Sequence, residues 1–262
     1  MTEWWQILAV LVAGLSAGFL NAVVGSGTLI TFPTLLALGV PPVTANMSNT
    51  VGLAPGGFSA VLAGRRDLSG QRRRVITLGT ASLLGGIVGA LLLLWLPAEV
   101  FSYAVPPLIA VGCILVVAQP HLVKRTAARR KTGRPPIMPP VVAAALTWLA
   151  VLGAGVYGGY FGAAQGVIVI GVLGLTLQET LPRLNVVKNV LTLLVNGVAA
   201  LIFIAVRPID WLIAGLIAGG AIIGAQIGGR VGRRLPSVVY RSIIVTVGVV
   251  AIGNEVWKLA RG

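Results

Sequence analysis

Two stretches of this sequence have residue types and spacing suited to holding an anion. Gly25-Ser26-Gly27-Thr28 opens one short apolar segment, and Gly162 to Gly166, with Gln165 among them, opens another. A glycine-rich turn leading into a helix leaves backbone N–H groups unbonded at the positive end of the helix dipole, which favours negative charge. A competing reading gives these glycines only a role in tight helix packing. Their recurrence at matching places in the two halves of the chain favours a binding site.

A second set is polar and falls at helical spacing. Asn46, Asn49 and Thr50 stand at i, i+3 and i+4 and share one face, with the Ser48 hydroxyl beside them. Asn185, Lys188 and Asn189 repeat that geometry, and Asn196 follows on the same side. Lys188 is the sharpest single signal, because it lies ~12 Å along its apolar span. A charged group at mid-span costs ~2.5–3.5 kcal/mol on insertion scales and usually faces a cavity or a partner. The alternative is a lysine that snorkels to the membrane interface. The acids Glu3, Asp67, Glu99, Glu179, Asp210 and Glu255 all fall in loops or near span ends. With no mid-span carboxylate to pair with Lys188, an anionic ligand becomes its expected partner.

Other chemistries lack their residues. Cys113 is the single cysteine and His121 the single histidine. A disulfide within the chain, a cysteine-based metal site and a histidine cluster are therefore all excluded. No nucleophile–base pair occurs, so neither an enzyme activity nor a cofactor is expected.

The elements that position these residues are membrane helices. Of the 262 residues, 56% are hydrophobic and 10% charged, and the mean hydropathy is +0.96. Soluble domains carry roughly 45–50% apolar and ~25% charged residues. Eight stretches are long and apolar enough to span a bilayer: 5–24, 43–63, 75–96, 100–118, 138–160, 180–206, 211–229 and 238–258. Residues 26–39 and 163–176 are apolar but shorter, and each follows a glycine-rich break. The N-terminus lacks the positive region of a cleavable signal and runs straight into the first span.

Net charge is +14, but its placement argues against nucleic acid. Most of the basic residues fall in three loops between apolar runs: Arg65 to Arg74, Lys124 to Arg134, and Arg230 to Arg241. That is the pattern of loops held on the cytoplasmic side. The chain also repeats itself. The offset of 139 residues from Asn46 to Asn185 also carries Asn49 to Lys188, Gly85 to Gly224, Gly89 to Gly228 and Pro97 to Pro236. An offset of 137 carries Gly18 to Gly155 and Gly25 to Gly162. If all three basic loops are cytoplasmic, parity requires 163–176 to count as a crossing, and treating 26–39 the same way gives five segments in each half. Were both short segments re-entrant instead, Arg230, Arg233, Arg234 and Arg241 would face outward, which the charge pattern disfavours. An odd number per repeat inverts the second half, as in many transporters. The expected fold is an all-α polytopic membrane protein with two inverted repeats. The first covers 1–118, a basic cytoplasmic linker covers 119–137, and the second covers 138–262.

Gly18-Phe-Leu-Asn-Ala-Val-Val-Gly-Ser-Gly-Thr, Pro33, Gly39 and Thr44-Ala-Asn-Met-Ser-Asn-Thr-Val-Gly-Leu resemble the TauE/SafE family of anion permeases. The run from Arg183 through Lys188-Asn189 to Asn196-Gly197-Val198-Ala199-Ala200 resembles that family's second repeat. The resemblance covers nearly the whole chain from Trp5 to Trp257. It implies export of sulfite or of organosulfonates such as sulfoacetate. Thr28, where the family often has a further glycine, and Ala163-Ala164 depart from the pattern in the pocket region.

The expectation is therefore a multi-pass transporter of the bacterial cell membrane that moves a small anion by alternating access. Gly25, Ser26, Gly27, Thr28, Gly162 and Gln165 would supply donors. Asn46, Asn49, Asn185 and Asn189 would orient oxygens, and Lys188 would supply charge. The partners are the small anionic substrate and membrane lipid, with no nucleic acid; the coupling ion and any homo-oligomer are left open by the residues. An anion channel is the rival reading, and single-channel currents would separate it from a carrier. A membrane-embedded enzyme would need paired acids or a histidine cluster within its spans, and the chain has neither.

Overall fold

The computed structural model describes residues 3–131, 139–177, 179–231 and 237–261. These residues form ten α-helices and one short 3-10 turn, with no strand among them. The helices are α1 (Trp4–Val23), α2 (Thr28–Ala37), α3 (Pro42–Gly64), α4 (Arg72–Trp95), α5 (Ala98–Lys131), α6 (Pro140–Tyr160), α7 (Gln165–Thr176), α8 (Leu181–Val206), α9 (Trp211–Val231) and α10 (Ser237–Arg261). The 3-10 turn, Arg65–Leu68, links α3 to α4.

Six of the helices, α1, α4, α5, α6, α8 and α9, are long and apolar enough to cross a membrane. The sequence suggested eight long spans. α3 is 23 residues long, but Asn46, Ser48, Asn49 and Thr50 lower its apolarity, and all four are buried. In α10 the described apolar stretch is the shorter Ser242–Asn254. α5 continues past Ala118 to Lys131, so part of the expected linker is helical. The side chains of Lys124, Arg125, Arg129, Arg130, Lys131 and Arg241, and all of Arg134, Arg233 and Arg234, lie outside the described residues.

Both expected breaks occur where glycine turns the chain. Gly25 has φ +88° and Gly162 φ +81°, left-handed values that a residue without Cβ adopts at little cost. At the first break the amides of Val24 and Gly25 both bond the Leu20 carbonyl. At the second, Phe161 and Gly162 both bond that of Tyr157. Leu20 and Tyr157 match at the offset of 137, as do the two glycines.

Helix packing depends on main-chain approach. α1 packs along α9, and α4 along α6. A Cβ on Gly224 would come within 1.9 Å of the Leu15 carbonyl oxygen, and one on Gly85 within 2.4 Å of that of Leu152. One turn on, Gly228 faces the Phe19 oxygen at 2.7 Å and Gly89 faces the Val156 oxygen at 2.1 Å. The two interfaces thus use residues matched by 139 on one side and 137 on the other. Small residues of this kind allow helices to associate where apolar burial no longer drives them together. On the outer faces, Leu8, Val12, Val88, Leu201 and Ile223 are exposed, as lipid contact requires. Inside, Phe32 of α2 packs edge-on against Phe101 and Phe161.

Candidate functional site

The two breaks meet inside the protein. The Gly166 amide donates to the Gly25 carbonyl at 3.1 Å. Each glycine's Cβ, if present, would lie 2.5 Å from the other's Cα. This contact sets the N-termini of α2 and α7 side by side. A small cavity opens there, with Gly25, Thr28, Gly162, Gln165 and Asn189 among its lining residues. Five of the residues singled out in the sequence therefore share one wall.

The other six stand beside or behind that wall. Ser26 is fully buried, and its hydroxyl has no hydrogen-bond partner. The Gly27 amide donates to Asn21 Oδ1 at 2.7 Å. Asn49 braces α2, accepting from the Thr31 hydroxyl and donating to Thr28 Oγ1 at 3.4 Å. Asn46 Nδ2 donates to the Tyr160 carbonyl at 2.9 Å, and Asn185 Nδ2 donates to the Ala22 carbonyl at 2.9 Å. Those carbonyls end α6 and α1 and would otherwise lack partners. Each asparagine thus bonds the end of the helix that opens the other half of the chain.

Lys188 is fully buried, and its ammonium donates to the Asn21 carbonyl at 3.0 Å. It lies inside the protein and does not reach toward the surface. The carbonyl it bonds belongs to the negative end of α1, a favourable place for a cation. No ion pair joins it to a carboxylate among the described residues. The charge is held by the main-chain oxygen of Asn21, a cavity residue four positions before the Gly25 break.

Sequence reasoning missed Asn21 and Thr192, and noted Asn196 only as a neighbour on the Asn189 face. All three line the cavity. Asn21 had a readable signal, an amide alone in an apolar span four residues before Gly25. Of the amides on this wall, Gln165 is 2% exposed and its Nε2 has no partner. A buried donor without an acceptor is costly, at ~1–3 kcal/mol, so the cavity suits a guest that accepts hydrogen bonds.

A family model described as sulfite exporter TauE/SafE matches residues 10–254. The chain belongs to the TauE/SafE family. Three similar proteins agree with this membership. The "Probable membrane transporter protein YfcA" of Escherichia coli K12 is 29% identical over 156 residues, which are 57% of this chain and 52% of that protein. The "Probable membrane transporter protein ORF9" of Sinorhizobium sp is 29% identical over 119 residues, 45% of this chain and 46% of that one. A "Probable membrane transporter protein" of Haemophilus influenzae is 34% identical over 109 residues, 41% of this chain and 43% of its own. The chain spans about half the length of the relatives it matches. In this TauE/SafE member the matched region takes in both glycine breaks and both polar helix faces.

Proposed function

We propose that this protein is a multi-pass transporter of the cell membrane that carries a small anion, a sulfur oxyanion or an organosulfonate, by alternating access. The observation that carries the reading is Lys188. It is a wholly buried lysine whose ammonium has only a main-chain carbonyl for a partner. An uncompensated charge at depth is expensive and usually marks a ligand or ion path. The cavity beside it presents neutral donors at two helix starts, which suits an anion.

In this reading α1–α5 and α6–α10 are inverted repeats that cross at Gly25 and Gly166. The matched packing of α1 on α9 and of α4 on α6 supports the repeat. The relatives named as probable membrane transporters support the transport step. Rocking of one repeat against the other would expose the crossing first to one side and then to the other. Lys188 supplies charge, Thr28 and Gln165 supply donors, and Asn189 orients the anion's oxygens. Asn46, Asn49 and Asn185 act one step back, by fixing the helix ends.

Counterflow into proteoliposomes tests the proposal, with sulfite, thiosulfate, sulfate, sulfoacetate, taurine and simple carboxylates as the panel. A carrier accelerates uptake of a labelled anion when unlabelled anion is loaded inside. Single-channel currents in planar bilayers, or no flux of any panel member, would overturn it.

A further inference from the structure

We propose that Asn21 is a placeholder, whose side-chain oxygen holds the backbone donor at the start of α2 that a bound oxyanion takes over. The inference rests on the anion-carrier reading above and assigns a further residue to its site.

The first observation is the bond from the Gly27 amide to Asn21 Oδ1, at 2.7 Å. Space there is tight, because a Cβ on Gly27 would lie 2.8 Å from Asn21 Cγ and 2.4 Å from the Ala17 carbonyl oxygen. The carboxamide is thus pressed against the amide that a helix N-terminus would offer an anion. Second, Asn21 itself lines the cavity, so a guest there would meet it. Third, Lys188 bonds the main-chain oxygen of Asn21. The side chain can rotate while the backbone stays anchored and the cation stays in place.

The neighbouring amide shows what the guest must provide. Gln165 lines the same cavity, 2% exposed, with Nε2 lacking an acceptor. The Ser26 hydroxyl next to Gly27 is also buried and unpartnered. An oxyanion would satisfy such donors and, once Asn21 swings aside, the Gly27 amide as well. A charged oxygen is the stronger acceptor, so the exchange favours the anion over the neutral carboxamide. The second break is built differently. Gly158 stands at the position matching Asn21, and a Cβ there would lie 2.3 Å from Gln165 Cδ. Each break therefore carries one carboxamide. One is engaged with a helix start through its oxygen, and the other keeps its donor free.

The test is sulfite binding to the full-length protein in nanodiscs, by calorimetry, for wild type, Asn21→Ala and Asn21→Asp. Asn21→Ala frees the Gly27 amide and should bind sulfite ~2–10-fold tighter, the range of one displaced neutral hydrogen bond. Asn21→Asp fixes a carboxylate on that amide and should bind at least ~10-fold weaker. If the aspartate variant does not fold, Asn21→Ala decides alone, with its melting temperature as the check on folding. Wild-type binding that is unchanged or weakened in folded Asn21→Ala overturns the placeholder and leaves the anion reading standing. If sulfite, thiosulfate and isethionate bind neither wild type nor Asn21→Ala, the anion reading falls, and the placeholder with it.

Discussion

Gly25 and Gly166 are bonded main chain to main chain, the amide of one to the carbonyl of the other at 3.1 Å. A direct bond between two helix breaks has a consequence for movement. If the two halves of the chain rock against each other, this contact lies at the pivot, and neither glycine can accept a side chain without separating the breaks.

Gly25→Ala should therefore cost more than its backbone strain. Its Cβ would sit 2.5 Å from Gly166 Cα, and overpacking of this kind costs typically ~1–3 kcal/mol. Gly39 is the control, since it has a similar φ of +79° and nothing within 4 Å of its Cβ. Thermal unfolding in detergent should show Gly25→Ala less stable than Gly39→Ala. Equal losses would mean that the close approach carries no weight.

At one end of the bundle, Glu179 ties the start of α4 to the start of α8. Arg183 Nε donates to it at 2.8 Å and Arg74 Nη1 at 3.3 Å, while Arg183 Nη2 reaches the Ser69 carbonyl at 3.0 Å. Burial tends to raise the Glu179 pKa, but the bonds from Arg74 and Arg183 outweigh it and hold the carboxyl below its ordinary 4.5. Because the folded-state value is depressed, the stabilisation is complete above the ordinary carboxylate range. It is lost as pH falls through the lowered value. Ion pairs this exposed contribute up to ~1 kcal/mol. Wild type should lose its stability advantage over Glu179→Gln between pH 7 and strongly acidic pH, as followed by melting temperature. An advantage that does not change with pH would remove the pair from the account.

The inverted arrangement makes a labelling prediction. After Cys113 is replaced, single cysteines at Arg66 and Arg230 should resist an impermeant thiol reagent in intact cells. Cysteines at Glu99 and Pro208 should react. All four native residues are exposed in the structure. Strong labelling at Arg230 from outside would show that the short helices do not count as crossings, and the second half would lose its inversion.

Both breaks were legible in the sequence because glycine clusters interrupt apolar runs, and the fold turns at Gly25 and Gly162 where they fall. Lys188 was legible by depth, and the structure buries it fully. What the spacing could not give is direction across the interior. Asn46 and Asn49 share a helical face, yet one bonds the end of α6 and the other braces α2. Such partners are set by which helix lies opposite, a long-range fact that no local period encodes. Asn21 escaped notice although a signal was there, because a single amide in an apolar span stands apart from any repeated helical pattern. The eight expected spans include α3, which is absent from the six long apolar helices because its buried polar residues Asn46, Ser48, Asn49 and Thr50 lower its apolarity.

Anion binding to purified Lys188→Met and Lys188→Gln tests the central claim most directly. Both remove the charge, but glutamine keeps a donor for the Asn21 carbonyl, so a purely structural lysine would be partly replaced by it. If Lys188 is the charge partner of the anion, both variants should lose affinity by roughly tenfold to a few hundredfold, the worth of one charge-assisted bond. Wild-type affinity in a folded Lys188→Gln would contradict the account, leaving Lys188 as no more than a cap on the end of α1.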